Sequence, residues 1–265
     1  MELGNPIDFT GRVAIVTGGT QGIGTVIAEA FLAAGAEVMV CARTTPPTLP
    51  SSDGRDAAFR STDVRDPAAA AHLVAATAEQ FGRLDILVNN AGGSPDADAA
   101  TVSPRFVEKV VALNLLAPFY VAQAANLVMR EQSEGGCVIN IGSVSAHDPQ
   151  PGTAAYSAAK AGLLGLTRAL ALEWAPKVRV NHITAGPIRT ASATELYGED
   201  DGAAVAGIVP MGRLAAPTDV AHACLWLAGP HASYVNGADL AVHGGGEIPA
   251  RDLARRAPQP PFSSP

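Results

Sequence analysis

Tyr156 and Lys160 stand four residues apart in Tyr156-Ser157-Ala158-Ala159-Lys160, and Ser143 lies a short way upstream. At that spacing two side chains share one face of a helix, a turn apart. A phenol normally loses its proton near pH ~10 and a lysine near ~10.4. An ammonium held close favours the phenolate, so the pair predicts a Tyr156 pKa lowered by Lys160. A tyrosine of that kind suits acid–base work on an alcohol or a carbonyl. Ser143 offers a hydroxyl donor to the same oxygen.

A second, independent signal is Thr17-Gly18-Gly19-Thr20-Gln21-Gly22-Ile23-Gly24. It follows Arg12 to Thr17, a short β-branched run that reads as a buried strand. It precedes Thr25 to Ala34, which has helical rhythm and stops at Gly35. Glu37 to Cys41 is a second apolar strand. Strand, glycine turn, helix and strand make a βαβ unit. Its glycines let the backbone approach a pyrophosphate, and the helix N-terminus offers free N–H groups. Gly18, Thr20, Gln21, Gly22, Ile23 and Gly24 are therefore candidate cofactor contacts.

The end of the second strand bears on which dinucleotide is used. A carboxylate there would bond a ribose 2′-hydroxyl, and an arginine accommodates a 2′-phosphate. The strand ends Val40-Cys41-Ala42-Arg43 without an acid. Arg43 favours NADP(H), with Thr44 and Thr45 also in reach of a phosphate and NAD(H) as the alternative.

These residues need elements to hold them. The chain has 265 residues and is 48% hydrophobic, enough for one large α/β domain with a substantial core. Aromatics are few, at 5%, so small side chains must fill much of the space between helices and sheet. The net charge of −7 lacks the basic face that nucleic acid requires. Cys41, Cys137 and Cys224 are widely spaced, form neither a metal pattern nor a disulfide framework, and read as buried apolar residues. The start Met1 to Pro6 has no basic, apolar leader, and no stretch approaches the ~20 apolar residues of a membrane span. The expectation is a soluble cytoplasmic protein without membrane or metal.

Thr44 to Gly54 is proline-rich and cannot be helical, so a loop stands where a crossover helix is expected. A short strand resumes at Ala57 to Ser61. Pro67 to Phe81 reads as a helix capped by Asp66 and ended by Gly82. Asp85 to Val88 is a strand, and the small residues and amides of Asn89-Asn90-Ala91-Gly92-Gly93 suit a wall for a nicotinamide ribose. Ser103 to Glu131 is a long helical segment, interrupted near Pro118, that carries Asn114. A mid-helix asparagine with its amide turned inward can hold a water. Cys137 to Ile141 is a strand with Ser143 just past its C-terminal end, where open α/β sheets bind ligands.

Ala154 to Trp174 is the helix of Tyr156 and Lys160, with Gly162 and Gly165 as small spots for a close neighbour. Arg179 to Ile183 and Asp239 to Val242 are strands, and Pro217 to Ala228 is a helix. Thr190 to Val209 is a candidate substrate lid. Gly93, Ser94, His147, Gln150, Tyr197 and Met211 are candidates for the pocket wall. Residues 1–250 read as one domain and 251–265 as a surface tail.

The set Thr17-Gly-x-x-x-Gly22-x-Gly24, Asn89-Asn90-Ala91-Gly92, Asn114, Ser143 and Tyr156-x-x-x-Lys160 resembles the short-chain dehydrogenase/reductase family in order and spacing. The chain looks most like one-domain members such as 3-oxoacyl-carrier-protein reductases. The resemblance implies a Rossmann-like, doubly wound parallel sheet of about seven strands with helices on both faces, in a homotetramer or homodimer. It implies Tyr156 as acid/base and Ser143 polarising the carbonyl. Lys160 would bond the nicotinamide ribose, and Asn114 would hold a relay water. It further implies Asp63 and Val64 at the adenine, Asn90 at the adenosine, and Ile188 and Thr190 at the carboxamide. Two segments depart from the family pattern: Ala185-Gly186-Pro187, where Gly186 keeps the turn, and His243-Gly244-Gly245 near the end. The implied activity is hydride transfer between NAD(P)(H) and a carbonyl/alcohol pair. A dinucleotide-sensing regulator on the same fold is the alternative, but a sensor has no need of Asn114, Ser143, Tyr156 and Lys160 together.

Overall fold

The computed structural model describes residues 7–191, 194 and 197–256. The N-terminal half alternates β1 (Val13–Thr17), α1 (Gly22–Ala33), β2 (Glu37–Ala42), a hairpin of β3 (Ser51–Ser52) and β4 (Arg55–Asp56), β5 (Ala58–Ser61), α2 (Pro67–Phe81) and β6 (Ile86–Asn89). The C-terminal half runs α3 (Pro104–Val111), α4 (Ala117–Met129), β7 (Gly136–Ile141), α5 (Ala154–Trp174), β8 (Val178–Ala185), α6 (Ala203–Ile208), α7 (Pro217–Ala228), β9 (Asp239–Val242) and α8 (Ala250–Arg256). Seven strands form one sheet in the order β5-β2-β1-β6-β7-β8-β9, and every pairing in it is parallel. This is a doubly wound sheet, reversing direction beside β1.

Both faces of the sheet are covered, which is why its central strands β1 and β6 are buried throughout rather than alternating. All five residues of β1 are buried. Ala14 and Val16 join Ile27 and Phe31 of α1 and Val220 and Leu227 of α7 in one core. Val13 and Ile15 face the opposite core with Leu73 of α2, Val121 and Ala125 of α4, and Leu170 of α5. Each such large side chain contributes ~1.5–3 kcal/mol by leaving water. Cys41, Cys137 and Cys224 are buried free thiols, and burial pushes Cys41 up to about 12.

Local chemistry sets the element ends. Asp66 accepts the Ala68 N–H at 2.9 Å to open α2, and Gly82 closes it in the left-handed region at φ 77°. Ser103 caps α3 through the Phe106 N–H. The proline-rich stretch after β2 is helix-free, but it holds more order than a loop. Asp53 (φ 51°) and Gly54 (φ 75°) turn the chain so that Ser51 pairs with Asp56 and Ser52 with Arg55. Asp-Gly is the sequence signal of such a turn.

The segment from Pro104 to Met129 is one continuous helical run whose middle, Ala112–Leu116, is a π-turn. The cause is legible: Pro118 has no N–H to give the carbonyl of Asn114 four residues back. By length and mean hydropathy (1.5) this run is apolar enough to cross a membrane, contrary to the expectation that no stretch approaches that length. It lies instead against α2, β6 and β7. Gly162 of α5 lets Leu115 approach, since a Cβ there would sit 3.1 Å from the leucine, whereas Gly165 has open space. The start of the expected tail is α8, and residues 257–265 fall outside the described residues.

Candidate active site

β1 ends at Thr17, and Gly18 and Gly22 turn the chain at φ 62° and 56° into α1. Gln21 places no side-chain cap on that helix, leaving its first N–H groups free. A side chain at Gly24 would collide with the Gly18 carbonyl oxygen and come within 2.5 Å of the Asn90 amide nitrogen. The Asn90 amide donates to Thr17 O at 2.9 Å and Gly18 O at 3.2 Å. Thr17 Oγ1 in turn accepts the N–H groups of Asn90 and Ala91, both at 3.0 Å. Asn90 is therefore a strut beneath the glycine turn as well as a wall of the space above it.

That space is a cleft of about 650 Å3. Gly18, Thr20, Gln21, Gly22, Ile23, Gly24, Arg43, Asp63, Val64, Asn90, Ala91, Gly92 and Thr190 line it. Thr62 and Arg65 also line it, and the sequence reading missed both. Arg65 grips Asp63 through Nε at 2.9 Å and through a terminal nitrogen at 2.5 Å. Those bonds hold the Asp63 carboxyl below its usual range, and the charge of Arg43 adds to the effect. Arg43 is exposed at the end of β2 and has no ion-pair partner among the described residues. Gly186 and Ile188 stand apart from this lining. Gly186 is crowded by His243, 2.7 Å from where a Cβ would be, and the Ile188 N–H donates to the Tyr197 hydroxyl at 3.1 Å.

At the next strand ends Ser143 opens a short 3-10 turn, Val144–Ala146, and accepts the Ser145 N–H at 3.1 Å. α5 carries Tyr156 and Lys160 on the face turned to it. The Lys160 ammonium is buried, donates to the Ile141 carbonyl at 2.7 Å, and lies 5.6 Å from the centre of the Tyr156 ring. Asn114, also buried, accepts the Gly93 N–H at 2.9 Å and donates to Gly93 O at 3.0 Å and Val110 O at 2.9 Å. Its amide is engaged with protein, and Pro118 has no N–H to give its backbone carbonyl. Asn114 and Lys160 converge on Gly92, where a Cβ would stand 2.8 Å from the asparagine oxygen and 3.3 Å from the ammonium.

The electrostatics differ from the expectation in one respect. Burial raises the pKa of Tyr156; the Ser143 hydroxyl works against that and the nearby Tyr197 works with it. Lys160 does not lower it. The reason is that burial acts on the lysine too, bringing its pKa down to about 8. In this state Tyr156 is a neutral donor rather than an incipient phenolate.

The wall candidates divide. His147 is tied to Asp239, and Gln150 donates to Glu247 at 3.2 Å. The Ser94 hydroxyl turns onto Pro95 O. Met211 and His243 line a separate, smaller cleft of about 270 Å3; the four catalytic candidates line neither cleft, and the larger one meets Asn114 and Lys160 at Gly92. The His243 ring accepts the Gly245 N–H at 3.2 Å. Of the candidate lid, residues 192, 193, 195 and 196 lie outside the described residues. Among the described residues no group of three or more His, Cys, Asp or Glu side chains is placed to hold a metal.

A family model described as enoyl-(acyl carrier protein) reductase matches residues 18–247. The chain is 38% identical over 249 residues to an uncharacterized oxidoreductase of Mycobacterium tuberculosis, covering 91% of this chain and 94% of that one. It is 35% identical over 242 residues to the 3-oxoacyl-[acyl-carrier-protein] reductase of Escherichia coli, covering 90% and 98%. The chain belongs to the short-chain dehydrogenase/reductase family. A crystal structure from Sinorhizobium meliloti, provisionally described as a short-chain alcohol dehydrogenase, superposes with a TM-score of 0.84 at 37% identity, covering 91% of this chain and 98% of that one. The protein is thus an oxidoreductase of the CH–OH/carbonyl class, and membership implies a nicotinamide dinucleotide cofactor. The glycine-lined cleft fits that group: at about 650 Å3 it is large, and the uncapped N-terminus of α1 stands at its glycine-lined wall.

Proposed function

We propose that this short-chain dehydrogenase/reductase interconverts a small or medium-sized carbonyl compound and its alcohol, with Tyr156 as acid/base and NADP(H) preferred over NAD(H). The nicotinamide, when bound, supplies or takes the hydride. The single observation that carries the reading is the meeting of Tyr156, Ser143 and Lys160 at the sheet's C-terminal edge beside the glycine-lined cleft. Reduction builds negative charge on the substrate oxygen. Tyr156 gives that oxygen a proton, and the Ser143 hydroxyl donates a hydrogen bond to it as the charge grows. Lys160 bonds the ribose and keeps a proton in reserve for Tyr156, and the Asn114 carbonyl freed by Pro118 anchors the relay water. Gly18, Gly22 and the α1 N-terminus would hold the pyrophosphate, Asp63 and Val64 would border the adenine, and Thr190 in the lining, with Ile188 just outside it, would border the carboxamide.

The preference for the phosphorylated coenzyme is supported by Arg43, an exposed cation at the end of β2 where no carboxylate stands. Self-association is supported by apolar side chains left in water on α4 and α5, Leu127 at 54% and Leu172 at 84% exposed. We read residues 1–250 as one catalytic domain. NADPH and NADH oxidation over a panel of ketones tests the reading, with Tyr156→Phe beside the native protein. Equal rates in the two would sink the assignment of the acid.

A further inference from the structure

The turn that carries Ser143 is tied down at its two ends, and at both ends the tie leads to one carboxylate. Within the turn the hydrogen bonds are local. Ser143 O accepts the Ala146 N–H at 3.0 Å, and Val144 O accepts the N–H groups of His147 at 2.9 Å and Asp148 at 2.8 Å. Such bonds fix the shape of the turn but not its place over the sheet. At its start the Gly142 N–H donates to Ile183 O at 2.8 Å, and the ring of His182 packs on Gly142, where a Cβ would overlap it. At its end the His147 ring nitrogen Nε2 meets Asp239 Oδ2 at 2.8 Å and stands 3.3 Å from the Thr184 hydroxyl.

Asp239 opens β9, opposite His182 of β8 in the parallel register. Alternate residues of a strand face one side, which puts Thr184 beside His182. Asp239 Oδ1 accepts from His182 Nδ1 and from the Thr184 hydroxyl, both at 2.7 Å, and Oδ2 is left for His147. A carboxylate only accepts, so each ring turns an N–H toward it, Nδ1–H from His182 and Nε2–H from His147. His182 is fully buried, and its other nitrogen has no partner among the described residues. A polar ring so placed is unfavourable by itself. It spans the gap between the carboxylate and Gly142, which an apolar side chain could fill without holding Asp239. One aspartate thus reaches the residue before Ser143 and the residue four after it. An anchor for β9 alone would need His182 and Thr184 but not the exposed ring of His147.

We propose that Asp239 is a positioning residue for Ser143: through the rings of His182 and His147 it braces the catalytic turn at both ends, so that the Ser143 hydroxyl meets the charge growing on the substrate oxygen. The proposal rests on the reading of Ser143 given above. No bond is made or broken at Asp239, His182 or His147, and none of the three touches substrate. His147, a candidate for the pocket wall, gives its Nε2–H to Asp239 instead. The physical need is geometric. A donor to a developing oxyanion acts within about 2.7–3.1 Å of that atom. A misplacement of about 1 Å lowers the rate by up to about a hundredfold. A turn closed only on itself leaves that distance to chance, whereas a turn held at both ends by a neighbouring strand does not.

The test is a double-mutant cycle, read with the ketone of the panel that the native protein reduces fastest. His147→Leu should lower kcat about tenfold with coenzyme KM and melting temperature unchanged, whereas His147→Gln, which keeps an N–H donor for Asp239, should stay within about twofold of native. Asp239→Ala should lose more than His147→Leu, since it releases both ends. In a Ser143→Ala background none of these substitutions should lower kcat further, because no hydroxyl is left to place. That pattern supports the brace. Losses that multiply with that of Ser143→Ala overturn it and leave the role of Ser143 standing. A native kcat in His147→Leu overturns it as well. So does a loss that lies in ketone KM and differs from ketone to ketone, which would make His147 a substrate contact. Native kcat in Ser143→Ala alone would sink the reading of Ser143 and the proposal with it. Should Asp239→Ala fail to fold, the two His147 variants and Ser143→Ala complete the cycle without it.

Discussion

The two edges of one parallel sheet treat buried charge in opposite ways. At the N-terminal edge Asp85 is buried, and every bond it can use is made. It accepts the Val13 N–H at 2.9 Å, Arg12 at 2.9 Å and Arg83 at 2.6 and 2.8 Å. Arg12 also pairs with Glu134, tying β1 to the segment before β7. At the C-terminal edge, among the described residues, Lys160 is buried with a carbonyl and no carboxylate as its partner, and His182 keeps a nitrogen unpaired. The first arrangement closes its charges and stabilises the fold. The second leaves them open, which is what proton exchange requires, and the cost falls on stability.

The comparison breaks if activity and stability respond alike at the two edges. The largest effect is expected of Tyr156→Phe, about a thousandfold lower kcat in either direction with NADPH binding and melting temperature unchanged. Steady-state kinetics beside coenzyme fluorescence titration checks it. Asp85→Ala should do the reverse, losing about 3 kcal/mol in urea unfolding while the folded fraction keeps native kcat, because two arginines lose a buried partner. A kcat loss as large as that of Tyr156→Phe would show that the two edges are not separate.

Lys160→Met sharpens the contrast by removing the open charge. The native lysine has a pKa near 8, against 10.5 for an ordinary one. Below pH 8 the folded state carries a buried ammonium at a cost of roughly 3 kcal/mol relative to the unfolded chain. As pH rises from 8 to 10.5 the cost disappears, since the folded state is already neutral while the unfolded chain is losing its proton. The inactive variant should therefore be more stable than the native protein at pH 7 and match it near pH 11, by urea unfolding at both values. An advantage that persists undiminished at pH 11 would mean that packing, not charge, is responsible. The smallest effect is expected at the cleft's outer end. Arg43→Ala should weaken NADPH binding about tenfold, near 1.4 kcal/mol, and leave NADH within about twofold. Equal losses for both coenzymes would remove Arg43 from the phosphate.

How much of this was legible beforehand differs by region. The glycine turn was readable because its residues are contiguous and its requirement is steric: φ above zero at Gly18 and Gly22, and no room at Gly24. The α5 pair was readable because four residues is one helical turn. The π-turn at Asn114 was partly readable, since Pro118 marks the missing bond, but the engagement of the asparagine amide with Gly93 was not. Arg65 went unnoticed because its meaning depends on Asp63 turning toward it. The Asp53-Gly54 turn was available as a signal, yet the prolines around it pointed to a plain loop.

The sequence by itself determined the order of strands and helices, the glycine cradle, and the types and spacing of Ser143, Tyr156 and Lys160, because each is set by neighbours within a turn or two of chain. Only the tertiary structure decided the proton chemistry. Burial pushes Tyr156 up and Lys160 down together, and it is β9, far along the chain, that delivers Asp239 to His182. A pKa depends on how much water is excluded and which charges stand within a few ångströms, and both are properties of the packed molecule rather than of any stretch of its sequence.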